Sequence, residues 1–316
     1  MDEIDVIYVA GVGRSGSTIL DRVLGTLDGV SSFNEIYRIF LEGFEENNLC
    51  ACGERFRDCA FWTEVLRQTT SGEDDIRHLM DLHHAIDHSR HFLRLYYGMH
   101  NKDYAAKLDE YKQWLRKLYF TMAELSGNRI IVDSSKVPTR ALILSDIPGI
   151  NVHVVHLVRD VRAVVVAWQK QKFNPAAGHS LPLYTPWRTV KYWCTRNLFA
   201  GLLQRRAPYI RVVYEEFGKA PRQTVERIVD TLAPLRGKAL KFVTDDSIEL
   251  SSLHTIGGNP DRFTTGATQL RLDMSWVDKI NPSSQRMATL VALPLLWQYG
   301  YLGRHSPKAL LATSAT

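Results

Sequence analysis

Short apolar runs alternate along this chain with stretches of helical period. "DVIYVAG" near the start, "RIIVD" at 129–133, "VHVVHLV" at 152–158 and "IRVVY" at 210–214 are β-branched and almost uniformly apolar. Such runs suit strands buried on both faces, as in a parallel sheet, better than the in–out alternation of a half-wet sheet. The predicted strands are Val6–Ala10, Arg129–Asp133, Val152–Val158 and Ile210–Tyr214. Helical periodicity begins at Ser17, returns at Pro138, runs through "RDVRAVVVAW" and restarts after Ala220. Strand and helix in alternation predict an α/β fold, a parallel central sheet flanked by helices.

Residues 73–125 break this rhythm. "HLMDLHHAIDHSRHFLRLYY" is polar, rich in His and Tyr, and helix-periodic, so the segment reads as a helical insertion over the sheet that caps an acceptor site. The stretch 170–188 holds "FNPAAGHSLPLYTP", whose Gly and Pro patches predict a mobile active-site loop. No internal repeat divides the chain. One domain is expected over 1–305, followed by a loose tail at 306–316.

Composition adds limits. The chain is 45% hydrophobic and 23% charged, an ordinary globular balance. A net charge of +5 from 39 basic and 34 acidic residues suits an anionic ligand, but no basic stripe marks a nucleic-acid partner. No run of eighteen apolar residues predicts membrane insertion. The four cysteines, and a start without a basic signal region, suggest a reduced cytoplasmic protein. Nothing sets the oligomeric state.

Candidate chemistry starts in "GVGRSGST", residues 11–18. Gly11 and Gly16 have the spacing of the nucleotide-triphosphatase loop G-x-x-x-x-G-K-[ST], but Ser17 stands where lysine belongs. A glycine-rich turn between a buried strand and a helix aims backbone N–H groups, and the helix's positive end, at one point. Arg14 lies inside the loop, and Ser15, Ser17 and Thr18 offer hydroxyls. This set fits an anion at a 5′ position, with neither a triphosphate nor a required metal. Arg159 and Arg162 follow at once on the strand ending at Val158. Ligands of open α/β sheets bind beyond the carboxyl ends of strands, where arginines fork onto phosphate.

Together the two pieces resemble the sulfotransferases that use 3′-phosphoadenosine-5′-phosphosulfate (PAPS), and above all the bacterial single-domain type. "GVGRSGSTIL" looks like that family's 5′-phosphosulfate loop and "HLVRDVRAVVVAW" like its 3′-phosphate motif. The likeness continues in order through "VDSSKVPTRA", "RVVYEEF", "GNPDRF" and "LPLLWQYGYL". It implies a P-loop nucleoside-triphosphate-hydrolase-like fold, PAPS as donor substrate, the desulfated nucleotide PAP as product, and no required metal. The acceptor would be a hydroxyl of a small molecule or glycan.

Carried over by position, Gly13, Arg14, Ser15, Gly16, Ser17 and Thr18 would grip the 5′-phosphosulfate and Arg159 the 3′-phosphate. The family's serine eight residues further on is Ala167 here, and its usual proline is Val161. Arg162 or Arg262 is then the candidate to replace the lost hydrogen bond. Glu35 matches a glutamate general base of related enzymes. Lys136, just past the Arg129–Asp133 strand, would steady the leaving oxygen alongside Arg14. Tyr214 and Glu215 are read as structural.

Three further groups carry less. His84, His88 and His91 share a helical face by spacing, a solvated or acceptor-lining face rather than a metal site. A histidine there is the rival base to Glu35. Cys50, Cys52 and Cys59 form C-x-C-x₆-C, open to zinc with a fourth ligand or to a disulfide, and read here as reduced, locally packed thiols. Tyr96, Tyr97, Tyr104, Tyr111, Trp114 and Tyr119 pack between helices, some of them lining an acceptor pocket. Two other readings stay open: a P-loop kinase or nucleotide hydrolase, with Asp133 as the acid of its metal, and a non-catalytic nucleotide-binding module.

Overall fold

The structure, a computed structural model, describes residues 2–312. Five parallel strands form its centre: β1 (Ile4–Gly11), β2 (Val30–Ser32), β3 (Ile130–Lys136), β4 (Ile150–Val158) and β5 (Tyr209–Val213), in the order β2-β3-β1-β4-β5. Four are the predicted strands. β2, "VSS", was too short and polar to show in the pattern, and it can be so because it is an edge. β3 runs three residues beyond the predicted end, so Lys136 closes the strand instead of following it.

The sheet is buried on both faces. Ile4, Val6, Tyr8 and Ala10 of β1 point into one core, and Ile7 and Val9 into the other. Helices α1 (Ser17–Leu24), α2 (Ala60–Thr69), α3 (Glu73–Ile86), α4 (Phe92–Tyr96) and α5 (Lys102–Ser126) follow the first strand. α2 to α5 supply much of the first core, which places the predicted insertion over the sheet. α5 is capped at its start by the Asn101 side chain, which accepts from the Tyr104 N–H at 3.0 Å, and at its end by Gly127 at φ 70°. Leu108, Tyr111, Leu115, Leu118 and Met122 form its buried stripe. α6 (Pro138–Ser145), α7 (Val161–Gln169) and α8 (Pro186–Leu202) complete the crossovers around β4.

Further along come α9 (Tyr214–Lys219), α10 (Pro221–Thr231) and a small antiparallel sheet of β6 (Phe242–Thr244), β7 (Ser247–Leu250) and β8 (Gly266–Gln269). The loop between β7 and β8 folds back over α1, where the buried Arg22 donates to the carbonyls of Ser251 (2.8 Å), Asp261 (3.1 Å) and Thr264. The 306–316 segment, expected to be loose, carries a helical turn at Pro307–Ala312 with Leu310 buried. Residues 313–316 lie outside the described part. Among the described residues no helix is long and apolar enough to cross a membrane.

One buried polar knot pins the insertion to the sheet layer. Arg140 of α6 pairs through Nε with Asp87 at the end of α3, and its Nη2 donates to Tyr111 OH at 2.8 Å. Both charges are fully buried, so each depends on the other. Asp87→Ala should cost about 3–5 kcal/mol by stranding Arg140, whereas Tyr111→Phe should cost about 1–3 kcal/mol. Urea denaturation of the two variants checks this. Equal losses would show that packing and not charge compensation dominates.

Candidate active site

The sheet register assembles the site. Ala10 stands opposite Lys136 and Gly11 opposite Leu157, so three adjacent strands end together. Chain order reverses direction around β1 here, the place where open sheets take ligands. The glycine loop leaves β1 at this point. Gly11 has φ 142°, and a Cβ on it would stand 2.4 Å from the Leu157 carbonyl oxygen. Gly16 caps α1 at φ 84°, where a Cβ would strike the Tyr214 ring at 2.8 Å. No side chain caps α1 and no acid sits in its first turn, so nothing of the helix's own competes for an anion.

The loop's polar atoms are waiting for partners. Arg14 Nη2 and Ser15 Oγ are buried without a hydrogen bond, as is Arg159 Nε nearby. Unmet donors of this kind are costly unless a ligand answers them. Arg14 lies over the Trp168 ring at 5.4 Å, which holds it toward the space beyond the loop.

That space is a cavity of about 310 Å³ bordered by Gly13, Arg14, Gly16, Ser17 and Thr18 of the loop, and by Glu35, Lys136, Gly258 and Asn259. Tyr37, Arg38, Trp168, Leu181, Pro182, Tyr192 and Arg196 also border it. A larger cleft of about 560 Å³ borders Asp5, Ile150 and His153, at the amino ends of the strands, away from these groups.

Glu35 and Lys136 meet in this cavity. Lys136 Nζ stands 2.6 Å from Glu35 Oε1 and donates to the Ser134 carbonyl at 2.7 Å. Arg38 approaches the other carboxylate oxygen at 3.6 Å. Burial pushes the Glu35 carboxyl up, but Lys136, Arg38 and Arg262 outweigh it and hold the group below the ordinary glutamate value. Glu35 is therefore ionised at neutral pH. Asn34 beside it (φ 58°) and Lys136 (φ 64°) both adopt the left-handed region that non-glycine residues avoid.

The predicted arginines separate. Arg159 sits against the loop without bordering the cavity: Nη1 donates to the Arg14 carbonyl at 3.0 Å, Nη2 reaches Asp273 at 3.2 Å, and the guanidinium stacks over Tyr214 at 4.2 Å. Arg162 is turned inward, paired with Asp160 at 2.6 Å, because Asp160 caps α7 and needs a counter-charge where it is buried. Arg262 is likewise committed, donating to the carbonyls of Gly257 (2.7 Å) and Leu49 (2.6 Å). Neither borders the cavity. Ala167 stands half-buried on α7.

Other readings meet obstacles of position. Asp133 is fully buried, accepting from Tyr119 OH at 2.5 Å and the Ser135 N–H at 2.8 Å, and it does not border the cavity. No histidine of 78–100 and no residue of 73–125 reaches the wall. Tyr104, Tyr111, Trp114 and Tyr119 are core residues, and Tyr97 is 65% exposed. The wall aromatics are Tyr37, Trp168 and Tyr192, which periodicity alone did not single out. Glu215 accepts from Tyr301 OH at 2.7 Å and from the Asp160 N–H at 3.2 Å, a buried brace as read, and burial lifts it to about 7.

A glycine loop, the start of a helix and the Glu35–Lys136 pair thus border one cavity at the carboxyl edge of a parallel α/β sheet. The chain belongs to the sulfotransferase family, whose model matches residues 6–233. Among solved structures it is similar to the sulfotransferase domain from the Curacin biosynthetic pathway, at 16% identity over 93% of this chain and 98% of that one, with a TM-score of 0.45. It is also similar to sulfotransferase STF9 from Mycobacterium avium, at 11% identity over 94% and 77%, with a TM-score of 0.43. No curated protein matches it.

The balance at Glu35 is testable. With Lys136→Met burial loses its main opponent, so the Glu35 carboxyl should rise from below the ordinary glutamate value to above it. Carbon-13 NMR titration of labelled glutamate follows this. A carboxyl that titrates as it does in the unaltered protein would show that Lys136 does not hold the charge.

Proposed function

We propose that this protein transfers a sulfuryl group from PAPS to a hydroxyl of a small-molecule or glycan acceptor. The observation that carries the reading is the Glu35–Lys136 pair, 2.6 Å apart, in the cavity that the glycine loop and the unpartnered Arg14 also border. Glu35, already ionised, takes the acceptor's proton as its oxygen bonds to sulfur. The bond from sulfur to the bridging phosphate oxygen breaks, and PAP leaves. Lys136 uses two hydrogens on Glu35 and Ser134, and its third serves the departing oxygen. Arg14, with the N–H groups of the loop and the start of α1, balances the phosphosulfate charge. Arg159 meets the 3′-phosphate; its Nη2 already bonds the half-exposed carboxylate of Asp273, an oxyanion that a more highly charged phosphate would displace. No metal ion enters these steps.

The chain works as one domain over 1–305. Acceptor choice falls to Tyr37, Leu181, Pro182 and Tyr192, which border the cavity, and not to the 73–125 helices, which do not. A bacterial, cytoplasmic setting suits four free thiols.

Two measurements test this reading. PAP should raise the melting temperature more than ATP does, with no need for magnesium; equal shifts, or protection that depends strictly on magnesium, would favour a nucleotide hydrolase. Glu35→Gln should leave PAP binding nearly unchanged and slow transfer to an aliphatic alcohol by about 10²–10⁴-fold. Near-normal turnover would remove Glu35 from the mechanism.

A further inference from the structure

The three cysteines of "CACGERFRDC" do not pack alone. The loop between β7 and β8 brings His254 to them from nearly two hundred residues away. His254 Nδ1 is 3.3 Å from Cys59 Sγ and 3.9 Å from Cys50 Sγ, and Cys52 Sγ is 3.7 Å from Cys59 Sγ. The four donor atoms all lie within 4.8 Å of one another. Four donors on a tetrahedron around zinc, with Zn–S about 2.3 Å and Zn–N about 2.0–2.1 Å, stand about 3.8 Å apart for sulfur pairs and about 3.6 Å apart for sulfur and nitrogen. The observed spacings bracket those values before any ion has drawn the ligands in.

We infer that Cys50, Cys52, Cys59 and His254 form a structural zinc site. The donor set is soft and complete: three thiols that become thiolates by releasing three protons, and one neutral imidazole, leaving no open position for catalysis. The local backbone is built for it. Cys50 opens a tight turn that contains Cys52, in which Gly53, at φ 99°, donates its N–H to the Cys50 carbonyl at 3.0 Å, and the Cys50 N–H bonds the Glu54 carbonyl at 2.8 Å. Cys59 caps the start of α2, where the helix's positive end favours thiolate. Phe61 stacks on the His254 ring at 5.2 Å and 9°, fixing its plane.

The site has a structural job. It ties the 47–59 loop to the 251–262 segment, which has little regular structure of its own. Thr255 O accepts from the Ala51 N–H at 3.3 Å, and Arg262 reaches the Leu49 carbonyl at 2.6 Å. From there Ile256 O accepts from the Glu35 N–H at 3.0 Å, and the Asn259 N–H bonds Thr18 Oγ1 at 3.2 Å. Zinc would thus clamp the segment that backs both Glu35 and the anion loop. It stands apart from the reaction, so it holds or fails whether or not Glu35 is the base.

The test uses the full chain purified without chelator. Mass-spectrometric metal analysis should find one zinc per chain, and cobalt exchanged into it should show the sulfur-to-metal charge-transfer and strong visible bands of a tetrahedral thiolate site. Cys52→Ser and His254→Gln change the two ligands nearest the surface, and circular dichroism checks that each still folds. Each should weaken zinc by more than the roughly 10–100-fold typical of losing an outer partner. Removing the zinc should lower the melting temperature and speed hydrogen exchange across 251–262. Substoichiometric zinc, iron in its place, zinc binding unmoved by both variants, or a Cys52–Cys59 disulfide in the unreduced protein would each overturn the assignment.

Discussion

The close approach of β1 and β4 at Gly11 is the constraint on which the rest of this protein turns. Parallel register fixes where β3, β1 and β4 end, and Gly11 lets the chain leave β1 against the Leu157 carbonyl. From that point the loop must turn sharply into α1, which sets Gly16 under the Tyr214 ring. A one-residue irregularity in the β1–β3 pairing, between Tyr8 and Ala10, then brings Lys136 and not Ser135 beside Ala10. Without that irregularity Ser135 would stand there, and Glu35 would lose its nearest counter-charge. The glycine loop and the Glu35–Lys136 pair thus both depend on how β1 meets its two neighbours.

The Glu35–Lys136 pair is costly to build. Both side chains are mostly buried, and removing two charges from water can outweigh their attraction. The backbone adds strain, since Asn34 and Lys136 both hold positive φ. These residues are held from several sides. Asn34 O accepts from the Ser134 N–H at 2.7 Å, the Phe33 N–H bonds Val132 O at 3.2 Å, and Asn34 forms a bridge with Ile256. Strain that is over-determined in this way belongs to a position where two side chains must face one point, not to a surface turn.

Much of this was legible in the chain. Four of the central strands showed as apolar runs because a doubly covered sheet leaves no polar alternation. The loop was legible because glycine spacing reports backbone geometry directly. β2 was not, since a three-residue edge strand has no pattern to display. Arg162 and Arg262 misled for a related reason: sequence shows a cation near a phosphate motif but not the buried Asp160 or the carbonyls that claim it. The aromatic-rich 73–125 segment misled too, because its periodicity marked a core face and nothing marked a cavity wall.

The sequence marked "GNPDRF" within the 251–265 segment by resemblance, but not what holds that segment in place. The segment lies between two strands of a small antiparallel sheet and lacks a long periodic run, so pattern reasoning passes over it. Yet Arg22, from the buried side of α1, holds three of its carbonyls, and Thr18 of the loop takes one of its N–H groups. Charged donors turned onto backbone carbonyls are what an irregular segment needs when it must stay in one place without strand partners. Its Gly257 packs against Glu35, where a Cβ on the glycine would stand 2.8 Å from Glu35 Cβ. The cavity therefore has a floor set by the sheet and a wall set by a loop. The loop's position rests on side-chain donors spread through distant parts of the sequence, and these emerge only once the fold is closed.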